Sequence, residues 1–131
     1  MDFYPRGQYF GTEPTTKWKK PSIVLISESN YSAGHGFPYA YKTLEIGKLV
    51  GMPIPGTMTA VWRERLQDPS LVFGISQVGA KDIRGNYLEN QQLEPDIAID
   101  NEYEVVVTGR DQQLERAVQV LMQSLESDNS K

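Results

Sequence analysis

Residues 22–47 read SIVLISESNYSAGHGFPYAYKTLEIG, and this stretch decides the fold that the sequence predicts. Its first run, Ile23–Ile26, is short, apolar and rich in β-branched residues, which predicts a buried strand. From Ala33 onward apolar residues recur every three or four positions up to Gly47, a natural C-cap, which predicts a helix. The apolar stripe of that helix consists of Phe37, Tyr41 and Leu44. A strand, a polar turn and a helix therefore follow one another directly.

Ser32 lies where the predicted helix begins. The first amides of a helix lack internal partners and carry the positive end of its dipole, so they can hold an anion that develops nearby. A serine there can attack a carbonyl while the next amide, that of Ala33, receives the oxyanion; Gly34 and Gly36 keep the approach open. Nucleophile elbows have this arrangement, although Asn30 stands in place of their leading glycine. The alternative is that Ser32 only caps the helix, since serine is a common N-cap.

Composition limits the classes of partner and chemistry. The chain has 131 residues, 39% apolar and 23% charged, as expected for one globular domain. A net charge of −4 argues against nucleic acid as a partner. With no cysteine and a single histidine, we expect no disulfide, no metal site and no cofactor. No apolar run approaches the length of a membrane segment, and the composition does not define a compartment.

The chain divides into three parts. Residues 1–20 form an extended aromatic N-terminal segment, interrupted by prolines and glycines. Residues 21–127 form the core domain, and residues 128–131 a frayed tail. The aromatic residues of the first part, which we expect to pack on this domain or on a neighbouring one, are Tyr4, Tyr9, Phe10 and Trp18.

A second strand is predicted at Lys48–Met52, which completes a βαβ unit with a parallel pair of strands. The next segment, PIPGTMTAVW at residues 53–62, begins as a rigid turn and becomes extended at Thr59. Because such a loop follows the carboxyl end of a parallel strand, it lines the ligand crevice in open α/β sheets. The candidate substrate contacts in it are Thr57, Met58 and Trp62, with turn and core roles as the alternative.

An antiparallel hairpin is predicted further along the chain. Arg63–Ser70 is interpreted as a charged surface connection, Leu71–Val78 as a strand and Tyr87–Leu93 as its partner. The turn between the two arms is Arg84–Asn86, which offers residues that tolerate positive φ. Glu89 lies in the second arm, where the alternative to a functional role is a surface carboxylate paired with Arg84 or Lys81.

The remaining residues predict an edge segment at Ile97–Ile99, an apolar link at Val105–Val107 and a last helix from Arg110 to about Ser127. Thr108 or Asp111 is its expected N-cap. The apolar face of the helix, for which core packing is a sufficient explanation, consists of Leu114, Ala117, Val118, Leu121, Met122 and Leu125.

Three separated segments carry a family resemblance: NYSAGHGFPYAYKTLEIGKLVG, GNYLENQQLEPDI and DQQLERAVQVL. They resemble the C-terminal half of the peptidase core shared by tail-specific (C-terminal-processing) proteases and tricorn-type proteases. The resemblance runs from about Pro21 to Leu125, and its most specific parts are S-x-x-x-x-F-P-Y-A and L-E-N…L-E-P-D-I. It implies a crotonase-like (ClpP-like) α/β half-domain with a βαβ unit, an antiparallel hairpin and a C-terminal helix.

The resemblance also implies roles for individual residues. Ser32 matches the nucleophile, the Ala33 amide one oxyanion donor, and Glu89 the glutamate of a tricorn-type Ser/His/Ser/Glu tetrad. Tail-specific members instead use a lysine after the second strand, and residues 51–61, GMPIPGTMTAV, contain none. The base histidine, its accompanying serine and the second oxyanion glycine are expected upstream of this half, so the chain alone is expected to be inactive.

Several alternatives remain open at this stage. His35, three residues after Ser32, is a candidate base for a self-contained esterase, but also a candidate for the wall of the substrate pocket or a hydrogen bond at the helix start. Glu94 and Asp96 are interpreted as structural. A non-catalytic peptide-binding or interaction module on the same scaffold is the main rival to the peptidase. The expected partners are a peptide or protein substrate, the upstream half of the peptidase domain, and a second copy of the chain.

Overall fold

A computed structural model describes residues 2–3, 11–12 and 18–129. Its strands are β1 (Asp2–Phe3), β2 (Gly11–Thr12), β3 (Ile23–Ile26), β4 (Lys48–Gly51), β5 (Thr59–Arg65), β6 (Val72–Gly79) and β7 (Ile97–Ala98). Its helices are α1 (Ala33–Thr43), α2 (Tyr103–Val106) and α3 (Gln112–Asn129). The mixed α/β class and the expected succession of strand, helix and strand are confirmed.

The centre of the fold is a parallel three-stranded sheet in the order β3-β4-β7. Ile23 pairs with Lys48 at one end of the β3–β4 ladder and Ile26 with Gly51 at the other. Helix α1 connects these two strands, so the predicted βαβ unit is confirmed. Strand β7 adds the edge that was expected at Ile97–Ile99.

The hydrophobic core lies on both faces of β4. Leu49 and Val50 are fully buried, and because adjacent strand residues point to opposite faces, each contributes to one layer. On one face Leu49 belongs to a cluster with Tyr41 of α1. Helix α3 packs against β3 and β4. The other buried members of the cluster are Ile26, Ile54 and Leu93.

Helix α1 ends earlier than expected, and its buried face differs from the predicted stripe. It ends at Thr43 rather than at Gly47, because Glu45 takes the positive φ of 52° that turns the chain away. Gly47 instead allows the chain to pass close to Tyr41 and Ser22. A Cβ at this position would lie 2.3 Å from the Tyr41 hydroxyl oxygen and from the Ser22 carbonyl oxygen. Phe37 and Leu44 are exposed, so only Tyr41 of the predicted stripe is correct. The buried residues of α1 are His35, Pro38 and Tyr41.

The antiparallel hairpin is present, but different segments form it. Strand β5 pairs with β6, with Thr59 opposite Gly79 and Arg65 opposite Val72. The segment Arg63–Ser70 is therefore strand and tight turn rather than a connection; the Asp68 carboxylate accepts hydrogen bonds from the Ser70 amide and hydroxyl in that turn. Tyr87–Leu93 forms no strand, and its ladder pairing is limited to two isolated bridges, Lys81 with Tyr87 and Ile54 with Leu93. Local turn chemistry favoured the wrong partner because pairing is decided by register and not by turns alone.

The C-terminal region also departs from the prediction in detail. The expected link at Val105–Val107 belongs largely to the short helix α2. Asp111 is the N-cap of α3, since its Oδ1 accepts the Leu114 amide. Ala117 and Val120 of α3 are buried, and the helix extends to Asn129. Three residues of the apolar face that we expected to be buried are half-exposed: Leu114, Val118 and Met122.

At the N-terminus β1 and β2 pair antiparallel, with Asp2 opposite Thr12 and Phe3 opposite Gly11. Trp18 is exposed and does not pack on the described part of the domain. Three of the predicted packing residues, Tyr4, Tyr9 and Phe10, lie outside the described residues, as do Ser130 and Lys131 of the tail. None of the described helices has the length and apolar character needed to cross a membrane.

Candidate active site

Ser32 sits at the N-terminus of α1 in a strained backbone conformation. Its φ is 54° and its ψ −110°, and its side chain makes no capping hydrogen bond. A non-glycine residue at positive φ costs about 1–3 kcal/mol and persists where the surroundings enforce it. The structure therefore does not support the interpretation of Ser32 as a simple N-cap, and the strand-to-helix turn is as sharp as in a nucleophile elbow.

Asn30 holds this turn in place. Its Oδ1 accepts the Ser27 amide at 2.8 Å, and its Nδ2 donates to the Gly34 carbonyl at 3.0 Å. The side chain thus connects the end of β3 to the first turn of α1 across Ser32. Asn30 therefore holds the turn at Ser32 in position, although the leading glycine of a nucleophile elbow is absent here.

The Ala33 amide is the donor that the turn leaves free. Within residues 18–129 it has no hydrogen-bond partner, whereas the amides of His35 and Gly36 already donate to the Ser32 carbonyl. The amide of Ser32 itself points to Thr57 Oγ1 at 3.4 Å. An unpaired amide at a helix N-terminus next to a serine is the geometry that receives a developing oxyanion.

Glu89 is bound to the loop that borders Ser32. Its Oε2 accepts the Met58 amide at 2.6 Å and the Thr59 hydroxyl at 2.9 Å. These hydrogen bonds, with the Met58 amide contributing most, lower the pKa of the Glu89 carboxyl, so the group is a carboxylate at neutral pH. The alternative pairing with Arg84 or Lys81 is wrong, since Lys81 lies over the Tyr87 ring instead.

Gly56 allows the Glu89 turn to approach this loop. The Asn90 amide donates to the Gly56 carbonyl at 2.8 Å, and a Cβ at Gly56 would lie only 2.3 Å from the Gln91 nitrogen. Asn90 itself has a positive φ of 60°. A glycine is therefore required for the loop and the turn to meet, which puts the carboxylate beside residues 58 and 59.

His35 lies under the site rather than in it. It is 1% exposed, its ring meets Tyr39 edge to face at 6.2 Å, and its Nδ1 has no partner among the described residues. Burial lowers the pKa of His35, and the nearby Glu89 charge opposes that shift only in part. The His35 amide donates to the Ser32 carbonyl, but no hydrogen bond joins the His35 ring to the Ser32 hydroxyl in the described part of the chain, and His35 lines neither of the hollows at Ser32. The structure thus places it neither as a base nor as a pocket wall.

Two adjoining hollows open at Ser32. The first encloses about 370 Å³, and Ala33 and Met58 are in its wall. The second encloses about 470 Å³ and reaches along β5 to Arg63. Both share Ser32, Thr59 and Ala60. The serine and its free neighbouring amide therefore border concave surface that is open to a ligand.

Two of the three loop residues that we expect to contact substrate lie beside Ser32. Met58 lines the first hollow and Thr57 contacts the Ser32 amide. Trp62 is 58% exposed on the hairpin and lines neither hollow. The sequence interpretation missed Arg63, which lines the second hollow because β5 continues past Trp62; the alternation of Val61 and Arg63 on one strand face was the available signal.

Two further acidic residues have structural roles. Asp96 Oδ2 accepts the Leu49 amide at 2.7 Å, and its Oδ1 pairs with Lys42 at 2.9 Å. The Glu94 carbonyl accepts Lys42 as well. Residues 18–129 contain no group of histidine, aspartate or glutamate side chains with the arrangement of a metal site.

Comparison with known proteins gives this geometry a context. The putative tricorn-like protease C-terminal subunit of Sulfurisphaera tokodaii is 32% identical over 122 residues, which cover 86% of this chain and 14% of that protein. The tricorn protease of Thermoplasma volcanium is 27% identical over 129 residues, covering 93% of this chain and 12% of that protein. The crystal structure of the tricorn protease superimposes with a TM-score of 0.78 at 24% identity, covering 96% of this chain and 12% of that one.

The chain thus corresponds to only a small part of the curated relatives that it matches. The match to a family model is independent of those individual relatives and covers residues 3–99, which include Ser32 and Glu89. The predicted resemblance to tricorn-type and tail-specific peptidases is thereby confirmed. On these grounds the chain belongs to Peptidase family S41.

Proposed function

We propose that this chain carries the nucleophile and the glutamate of a serine endopeptidase site of the tail-specific/tricorn type. The observation that carries the proposal is the arrangement at Ser32: a strained residue without a capping bond, followed by a free amide and bordered by open hollows. Membership of a peptidase family supports the same reaction class. The substrate is a peptide or protein, and no cofactor takes part.

The chemistry is acyl transfer. Ser32 Oγ attacks the carbonyl carbon of the peptide bond as a base removes its proton, and the oxyanion that forms accepts the Ala33 amide. The leaving amine takes a proton from the conjugate acid of the base, which leaves an acyl ester on Ser32. Water then attacks this ester and releases the second product. Glu89 orients catalytic groups or that water, since its carboxylate is held next to the loop that borders Ser32.

The base and the second oxyanion donor come, in this proposal, from the upstream half of the peptidase domain. No side chain in the described part of the chain, that of the buried His35 included, is hydrogen-bonded to Ser32 Oγ. Loss of one oxyanion donor typically costs about 3 kcal/mol of transition-state stabilisation, and loss of the base costs more. We therefore propose that the chain is inactive until the upstream half completes the site.

An active-site-directed phosphonate tests the proposal on the complete peptidase, the chain together with its upstream half. We expect one covalent adduct at Ser32 by peptide mass spectrometry and none in Ser32→Ala. Ser29→Ala is the matched control, because Ser29 lies in the same loop and is exposed. Glu89→Gln keeps the shape but removes the charge, and should slow labelling by about tenfold or more.

A non-catalytic peptide-binding module remains the second candidate. The absence of a base beside Ser32 within the described residues favours it. It predicts a folded complete protein that binds peptide but gives no phosphonate adduct. The self-contained esterase has less support, because His35 is buried and its ring makes no hydrogen bond to the Ser32 hydroxyl within the described residues. Ester turnover by the chain alone that His35→Ala abolishes would be required to support it.

A further inference from the structure

The second hollow at Ser32 has a cationic end. It runs from Tyr31 and Ser32 along the face of β5 that carries Val61 and Arg63, and it closes against Gly74 of β6. Arg63 and Gly74 are directly opposite each other in the β5–β6 ladder. Gly74 adds no side chain of its own here, and Val61 Cγ1 lies close over it, so Arg63 is the charged residue at this end of the hollow.

Arg63 is not neutralised by the described part of the protein. Two basic residues of the described part form ion pairs, Lys42 with Asp96 at 2.9 Å and Arg110 with Glu115 at 2.6 Å, whereas Arg63, like Arg65 and Lys48, forms none there. Arg63 makes no ion pair or hydrogen bond to any residue within 18–129 and is exposed. In a chain with a net charge of −4, an unpaired guanidinium in the same hollow as the candidate nucleophile is a recognition feature rather than part of a basic surface.

The distance along the strand indicates which part of a substrate could reach it. Thr59 lines both hollows, and Arg63 is four residues further along the extended strand β5. At about 3.3 Å per residue this is roughly 13 Å, the span of about four residues of an extended peptide. A peptide that lies along β5 with its reacting bond at Ser32 would present a side chain or chain end at Arg63.

We propose that Arg63 is a specificity-determining residue that binds a carboxylate of the peptide substrate, about three to four residues from the bond that reacts. This inference rests on the proposed function for the position of the reacting bond. The carboxylate belongs either to an Asp or Glu side chain or to the free C-terminus of the peptide. Guanidinium and carboxylate match as planar, bidentate partners, whereas Arg63 offers nothing to a cationic or apolar side chain at that position.

Fluorescence anisotropy with the Ser32→Ala variant of the complete peptidase tests the site without turnover. The probes are short fluorescein-labelled peptides of alanine and serine with one Asp, or its isostere Asn, moved along either side of the central bond. For the best position we expect the Asp peptide to bind about fivefold more tightly than the Asn peptide, as for an exposed ion pair. The preference should decrease with added salt.

Variants on the same strand identify the residue responsible. Arg63→Gln should remove the Asp preference, and Arg63→Glu should transfer it to a peptide with Lys at that position. Arg65→Gln is the matched control: Arg65 is on the same strand but does not line the hollow, so the preference should persist. Amidation of the peptide C-terminus distinguishes the two sources, since it abolishes the preference only if the chain end supplies the carboxylate.

Equal affinity for Asp and Asn peptides at every position, or no peptide binding at all, would overturn the Arg63 inference, as would an equal loss in Arg63→Gln and Arg65→Gln. The phosphonate experiment keeps the two proposals separate. Labelling of Ser32 without a carboxylate preference leaves the peptidase and rejects the Arg63 site. A carboxylate preference without labelling retains the Arg63 site on a non-catalytic binding module.

Discussion

At the scale of single residues, the site depends on groups that are held in unfavourable states. Ser32 has a positive φ, and His35 is buried with an Nδ1 that has no partner among the described residues. Neither state is stable in isolation, so the surrounding fold must enforce both. Asn30 enforces the first through its bonds to Ser27 and Gly34. The burial of His35 should make the free energy of unfolding depend on pH.

Stability should decrease as the pH falls below 6.5 because of His35. Burial lowers the pKa of His35 in the folded chain from 6.5, so below that pH the unfolded chain binds a proton that the folded chain does not. The contribution of the neutral His35 ring to the free energy of unfolding is fully present above pH 6.5. It is lost as the pH falls towards the pKa of His35 in the folded chain. We expect the urea midpoint to decrease between about pH 7.5 and 5.5.

His35→Gln is the control for this prediction. His35 is the only histidine, so its replacement should flatten the pH dependence in that range, even if the variant is less stable overall. The pKa of Glu89 is lowered from 4.5, so its own stabilisation is lost only below that pH and falls outside the range measured. A wild-type slope that persists in His35→Gln would show that burial of this ring is not the cause.

At the scale of elements, the active-site candidate is assembled from three connections. The elbow between β3 and α1 presents Ser32, the loop between β4 and β5 contacts it, and the turn at residues 88–91 brings Glu89 to that loop. The loop and the turn are joined by reciprocal hydrogen bonds between Ile54 and Leu93, both at 3.0 Å, and by the close approach at Gly56.

Gly56→Ala should separate the Glu89 turn from the loop. The new Cβ would lie 2.3 Å from the Gln91 nitrogen and would meet backbone, which cannot move aside locally. We expect a destabilisation of about 1–3 kcal/mol, measured by urea unfolding, together with slower phosphonate labelling of the complete peptidase.

Gly36→Ala is the matched control for that substitution. Its Cβ would meet only the flexible end of Met58 at 3.2 Å, and alanine favours the helix. The control should unfold at the same or a higher urea concentration than the wild type. An equal loss of stability in both variants would contradict the role assigned to Gly56.

At the scale of the whole molecule, the β5–β6 hairpin is uncovered. Trp62 and Ile75 are opposite each other, and Phe73 lies two positions from Ile75 on the same strand, so the three share one exposed apolar face. A two-stranded hairpin is marginally stable in water without a layer against it. The isolated chain therefore has a reason to associate with a second copy of itself.

We predict that the chain alone self-associates through this face. Sedimentation velocity should show a weight-average coefficient that rises with concentration. Replacing Trp62 and Phe73 together by threonine should weaken the association, because it removes apolar area while keeping strand propensity. Tyr103→Ser, which removes an exposed aromatic ring on α2, is the control and should have no effect. A monomer at every concentration would contradict the prediction.

The sequence by itself determined the elements whose signals are local. The apolar run Ile23–Ile26 was sufficient for β3, and the periodicity from Ala33 onward was sufficient to place Ser32 at the start of α1. The turn at Gly85, with its φ of 86°, was predicted as well. Motif resemblance added the family.

Only the tertiary structure decided what those elements meet. The sequence predicted the wrong partner for β6, because tight turns follow one another on both sides of that strand, at Asp68–Ser70 and at Gly85, and the choice between them depends on packing rather than on turn residues. For the same reason the partners of Glu89 and the burial of His35 could not be deduced from spacing. Arg63 became a candidate for recognition only when β5 placed it along the hollow at Ser32, since the reach of a side chain depends on the packed backbone beneath it.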